Sequence, residues 1–173
     1  MIKRIFAAVL ALSALLALVS CVQVTPPDQG RGKAYLLAVA RRESGQEGAT
    51  VETVGQASER EKTLLWFMFT AADGERTYSA IEFEVLDTSA IDGNLYRFVH
   101  TYKPRERGED IRVCEWDGGY SILINHPDCR YLELTYGDAK PQLVDIYQVP
   151  TAFSADPIPD EYRFLDEDQK ELR

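Results

Sequence analysis

Few side chains in this sequence have the type and spacing that chemistry needs. The chain has 173 residues, with 2 histidines and 3 cysteines. His100 lies in the alternating run Tyr96, Phe98, His100, Tyr102 and reads either as a histidine hydrogen-bonded beside a core or as a ligand contact. His126 precedes Pro127 and reads as a turn residue. There is no HExxH helix to hold a zinc ion and its base. There is no G-x-S-x-G elbow to expose a nucleophile, no Gly-rich loop opening a helix, and no C-x-x-C-H haem attachment sequence. Glu82 and Glu84 are close enough for two carboxylates to share acid–base work on a glycosidic bond, but period-two strand geometry alone makes them close. These two, with Glu115 and Glu133, read as a solvated sheet face. The expectation is a non-enzymatic protein without metal or cofactor.

Cys114 and Cys129 form an even pair, and in an oxidising compartment a bond between them would contribute about 3 kcal/mol on chain-entropy grounds. A hairpin at Asp117-Gly118-Gly119 places Cys114 opposite Ile122. The disulfide expectation therefore requires His126-Pro127-Asp128 to redirect the chain. Metal ligation by the pair lacks third and fourth ligands at zinc-like spacing.

The third cysteine stands in a different context. Lys3 and Arg4 precede an apolar run from Ile5 to Val19, which ends in Leu18-Val19-Ser20-Cys21. This segment resembles the type II signal peptide and lipobox of bacterial lipoproteins. The run is shorter than the roughly 20 apolar residues a spanning helix requires, and Pro26 and Pro27 follow it. The resemblance implies removal of residues 1–20 and a diacylglyceryl group on the Cys21 sulfur, anchoring the chain in a membrane. It also implies an outer-membrane position facing the periplasm, because Val22 stands where inner-membrane lipoproteins commonly carry Asp. Residues 21–33, with Pro26, Pro27, Gly30 and Gly32, read as a tether.

Loss of the signal leaves 17 basic against 28 acidic side chains, a net charge of −11. A surface of that sign repels nucleic acid and anionic headgroups and suits cationic partners. The remaining length fits a β domain over residues 34–150, followed by an acidic segment over residues 151–173.

Turn signals at Asp73-Gly74, Asp92-Gly93-Asn94, Asp117-Gly118-Gly119 and Gly137-Asp138 separate runs rich in aromatic and β-branched residues. Asp-Gly pairs supply the positive φ values of tight hairpins. The pattern predicts a mainly β domain, an antiparallel meander of about seven or eight strands forming a sandwich or a small barrel. The strands are expected near 64–71, 76–87, 94–103, 110–116, 120–125, 130–136 and 142–148. Ile81, Phe83 and Val85 alternate with Ala80, Glu82 and Glu84, and Tyr96, Phe98, His100 and Tyr102 are expected to share one face. Leu64 to Phe69 is apolar on both sides, so a second cover is needed. Residues 34–42 supply it as a helix or a strand; otherwise Trp66 and Met68 belong to a partner-binding patch. Residues 45–61 read as a loop with a short strand near 51–54. Pro159-Asp160-Glu161 could start a short helix over 159–172 that docks through Tyr162 and Leu165.

The expected role is that of an anchored envelope lipoprotein whose β domain binds a protein partner or supports an envelope assembly. Trp66, Met68, Tyr96, Phe98, His100 and Tyr102 are the candidate surface. The alternative is a lipocalin-like carrier of a small apolar ligand or lipid, with the same aromatic face lining a barrel cavity. That likeness is architectural only, because neither Trp66 nor Trp116 carries the Gly-x-Trp motif of lipocalins.

Overall fold

A computed structural model describes residues 28–88, 91 and 93–172. Cys21 lies outside them. Among the described residues, twelve antiparallel strands form three open sheets, and a single helix covers the outermost face of the first. Sheet A contains, in spatial order, β1 (Gln29–Arg31), β5 (Leu95–Tyr102), β4 (Arg76–Asp87), β3 (Lys62–Thr70) and β2 (Thr50–Glu59). Sheet B contains β11 (Thr151–Ala155), β8 (Gly119–Ile124), β7 (Ile111–Trp116) and β6 (Arg105–Glu106). Sheet C contains β10 (Gln142–Asp145), β9 (Tyr131–Thr135) and β12 (Glu161–Leu165). The helix α1 (Gly32–Ser44) lies on sheet A.

The layers follow from which faces are apolar. Tyr35, Leu36, Val39 and Ala40 form the buried stripe of α1 and meet Leu65, Phe67, Phe69, Ile81 and Phe83. The opposite face of sheet A presents Leu64, Trp66 and Ala80 to Cys114, Trp116 and Leu123 of sheet B. Sheet B then turns Ile111, Val113, Ile122 and Ile124 toward Leu132, Leu134 and Phe164 of sheet C. The order is therefore helix, sheet A, sheet B, sheet C, with an apolar interface at each junction. The doubly apolar run Leu64 to Phe69 is explained by its position, since β3 is covered by α1 on one side and by sheet B on the other.

Helix and turn chemistry agree with this arrangement. α1 ends at Gly45, whose φ of 65° permits a left-handed cap and whose N–H bonds to the Arg41 carbonyl at 3.2 Å. Asp117 and Gly118, at φ 49° and 84°, make a two-residue hairpin turn. Gly119 belongs to the strand, and a Cβ there would lie 2.3 Å from the Ala155 carbonyl oxygen.

Several expectations need correction. The sheets do not close, so the architecture is a layered sandwich and not a barrel, and it has more strands than the seven or eight expected. The short strand expected near 51–54 extends over residues 50–59 as a long edge strand, where a loop was expected around it. The segment 159–172 contains β12 in place of a helix, because Tyr162 and Phe164 alternate onto sheet B while Glu161 and Arg163 point away. With β11 and β12 in the sheets, the domain continues well past Pro150. At its other boundary, β1 pairs with β5, so the folded part begins inside the segment read as tether. Because the turn uses only Asp117 and Gly118, Cys114 faces Ser121 and not Ile122.

The two cysteines are free thiols. Cys114 points from β7 into the interface between sheets A and B, and Cys129 is enclosed between sheets B and C. The four-layer order thus puts the two sulfurs in different interiors, so the expected disulfide does not form. Burial pushes the Cys114 thiol up to about 12 and the Cys129 thiol up to about 11. Thiolates are the reactive species, so a maleimide at neutral pH is expected to leave both residues unmodified in the folded protein. Both should label fully in urea, as read by peptide mapping.

The same burial makes the fold less stable at alkaline pH. A thiol raised above its ordinary value of 9.0 stays protonated in the native state while the unfolded chain loses its proton. The stabilisation is complete below pH 9 and is lost as pH rises toward 11–12. Each such thiol removes at most about 1.4 kcal/mol per pH unit in that window. Urea midpoints are therefore expected to be flat between pH 7 and 8 and to fall above pH 9, with a shallower fall in Cys114→Ala.

Candidate functional site

One β-bulge decides where the expected aromatic face goes. In the β4–β5 ladder Phe83 pairs with Phe98 and Glu82 with His100, which leaves Val99 as an extra residue. The strand changes faces there. Tyr96 and Phe98 turn toward α1 and pack edge-on against Phe83, at centroid distances of 6.0 and 6.4 Å. Tyr102 turns toward sheet B, and the exposed His100 ring lies 4.8 Å from it. The four rings therefore share no surface and line no common cavity. Trp66 is fully buried and donates its indole N–H to Ser121 Oγ at 2.8 Å. Met68 is partly buried in the same interface, where its sulfur lies 3.6 Å from Asn125 Nδ2. Of the six residues expected to form a surface, only His100 is exposed, with Tyr102 half-buried beside it.

The bulge instead borders a cleft of about 450 Å³ between the β2–β3 turn, β4 and the Asp117 turn. Its innermost group is Glu82, only 5 % exposed. Tyr102 donates to Glu82 Oε2 at 2.6 Å and Trp116 Nε1 donates to the same oxygen at 3.2 Å. Lys62 Nζ stands 4.0 Å from Oε1 and donates to Asp117 Oδ1 at 3.1 Å. Burial, reinforced by the Glu82 bond, keeps the Tyr102 phenol protonated well above its ordinary range. The Asp117 bond raises the Lys62 ammonium in turn. Glu84, at the cleft wall, pairs with Arg97.

A second buried carboxylate lies at the other end of the interface between sheets A and B. Asp110 accepts from Tyr78 Oη at 2.7 Å and pairs with Arg76, while Asn125 Nδ2 donates to Tyr78 Oη at 2.9 Å. The Arg112 guanidinium lies 5.0 Å from the Tyr78 ring centre. Every strong contact of Asp110 is with this surrounding network, which reads as structural. The cleft at Glu82 differs because it opens to solvent and five of its lining side chains, Glu59, Glu61, Glu82, Glu84 and Asp117, are acidic.

The alternation of the β4 run predicts a solvated face for Glu82. The missed signal lay in the neighbouring strand: a run apolar on both sides must be covered on both sides, and Glu82 pairs directly with Leu64 of that run. As chemistry, the site presents a fixed carboxylate acceptor in an acidic groove, suited to a cationic group. Glu82 Oε2 accepts two hydrogen bonds and Glu84 pairs with Arg97.

Compared with protein families, characterised proteins and solved structures, the chain matches none.

Proposed function

We propose that this is a lipid-anchored envelope protein, held by Cys21 at the periplasmic face of an outer membrane, whose β domain binds a protein partner without catalysing a reaction. The acidic cleft over Glu82 carries this reading. Its five carboxylates are met by Arg60, Lys62 and, at Glu84, Arg97, which leaves an excess of negative charge and favours a partner segment bearing lysine or arginine. The motif around Cys21 supports the location, and the net charge of the mature chain supports the sign of the partner. Nothing in the site favours the apolar-carrier reading, since the interfaces are packed and the aromatic rings are divided between two of them.

Crosslinking in intact cells, followed by mass spectrometry, tests the proposal. Wild type is expected to give one dominant partner, and the exposed pair Glu59→Lys/Glu61→Lys is expected to reduce its yield at least about fivefold, a loss of roughly 1 kcal/mol. An unchanged yield would remove the cleft from the interface. Repeated recovery of no partner would end the binding reading.

A further inference from the structure

The net charge of the chain conceals a strong separation of charge between its outer layers. Helix α1 carries Lys33, Arg41 and Arg42 against the single acid Glu43, which pairs with Arg42 at 2.8 Å. Lys33 and Arg41 are exposed on its outward stripe, together with Ala34. The strands beneath turn apolar side chains to the helix, Leu65, Phe67 and Phe69 from β3 and Ile81 and Phe83 from β4, while at its start Asp28 lies near Tyr35 and Asp87 pairs with Arg31. Glu47, in the turn after the helix, is the next acid along the chain. At the opposite end of the stack, residues 126–172, which build the whole of sheet C, hold 11 acidic and 4 basic side chains.

The point where the chain enters the fold coincides with the basic layer. β1 is fixed to β5 by its ladder, by the Phe98 N–H donating to the Asp28 carbonyl at 3.2 Å, and by Tyr35 Oη donating to the same oxygen at 2.7 Å. α1 follows β1 without a break. Seven peptide steps separate Cys21 from Asp28, a length that spans at most about 25 Å. A lipid anchor at Cys21 thus keeps the α1 side of the domain within reach of the bilayer.

We infer that the exposed face of α1 is the membrane-facing surface of the domain, with Lys33 and Arg41 resting on anionic lipid headgroups and sheet C turned away. The inference rests on the anchored reading and adds an orientation to it. It also revises the sequence-based expectation that this acidic chain repels anionic headgroups, because α1 carries one acid against three basic side chains while residues 126–172 carry 11 against 4. Basic side chains near an anionic surface are attracted within about a Debye length, roughly 8–10 Å in physiological salt. With sheet C directed into the surrounding space, repulsion and attraction act on opposite ends of the molecule and favour the same orientation.

The test uses the acylated mature protein in phosphatidylethanolamine vesicles with and without phosphatidylglycerol. A fluorophore is placed at Ala34→Cys or at Asp168→Cys, and quenching by a headgroup-attached acceptor is read. The expected result is severalfold stronger quenching from position 34 than from position 168. The difference should shrink in high salt, without phosphatidylglycerol, and in Lys33→Glu/Arg41→Glu. Co-flotation with equal quenching at both positions overturns the orientation while leaving the anchor intact. A difference that ignores lipid charge and charge reversal overturns the headgroup contact. Failure to co-float removes the anchor and this inference with it.

Discussion

Trp66→Ala is expected to destabilise the domain by about 3–5 kcal/mol, the usual cost of truncating a fully buried aromatic. That is a large part of the 5–15 kcal/mol that holds a typical domain together. Trp66 has no exposed surface and lies between sheets A and B, so its removal leaves a void that rigid ladders on both sides cannot close. Its N–H also fastens the two sheets through Ser121, itself fully buried. Ser121→Ala should cost about 1–3 kcal/mol by leaving that N–H without an acceptor in a dry interface. Trp66→Phe should cost a similar amount, partly through the stranded hydroxyl. The double variant Trp66→Phe/Ser121→Ala is then expected to cost clearly less than the sum of the two, because neither partner remains to be stranded. Urea denaturation followed by far-ultraviolet circular dichroism measures all four proteins. Additive losses would show that the hydrogen bond does not couple the sheets.

Trp66 also shows which features could be recognised from sequence. The strand runs at 64–71, 76–87 and 110–116 correspond to β3, β4 and β7 because alternation and Asp-Gly turns are local signals. The need for a second cover over Leu64 to Phe69 was equally legible, and α1 and sheet B supply it. Long-range partners were not legible. Nothing local distinguishes an edge strand such as β2 from a polar loop, or β12 from a short helix after Pro159, since each becomes a strand through pairing with a distant segment. The bulge at Val99 was also invisible, because an inserted residue in a continuous aromatic run does not alter composition. That single residue divided an apparent four-ring face into two half-buried rings toward α1 and two on the side of sheet B. The candidate site was missed for a related reason. Glu82 lies in an alternating run that reads as half-solvated, and its burial depends on a sheet formed by the later segments 105–124 and 151–155.

Glu82 supplies the other large effect. Its Oε2 accepts from both Tyr102 and Trp116, so Glu82→Ala strands a phenol and an indole donor together at the mouth of the interface between sheets A and B. A buried donor without an acceptor costs about 1–3 kcal/mol, and the combined loss is expected to be about 3 kcal/mol. Glu82→Gln keeps an acceptor oxygen of the same shape and should cost about 1 kcal/mol, mainly by replacing charge-assisted bonds with neutral ones. The order of the two variants separates this account from a simple charge effect, because both remove the same charge. If screening of neighbouring acids governed the site, both substitutions would stabilise the domain, since Glu59, Glu61, Glu84 and Asp117 would each lose a like-charged neighbour. Urea midpoints in low and high salt distinguish the cases. The hydrogen-bond account requires an Ala–Gln gap of about 2 kcal/mol that salt does not close, because the two variants carry the same charge and differ only in the acceptor left for the two donors.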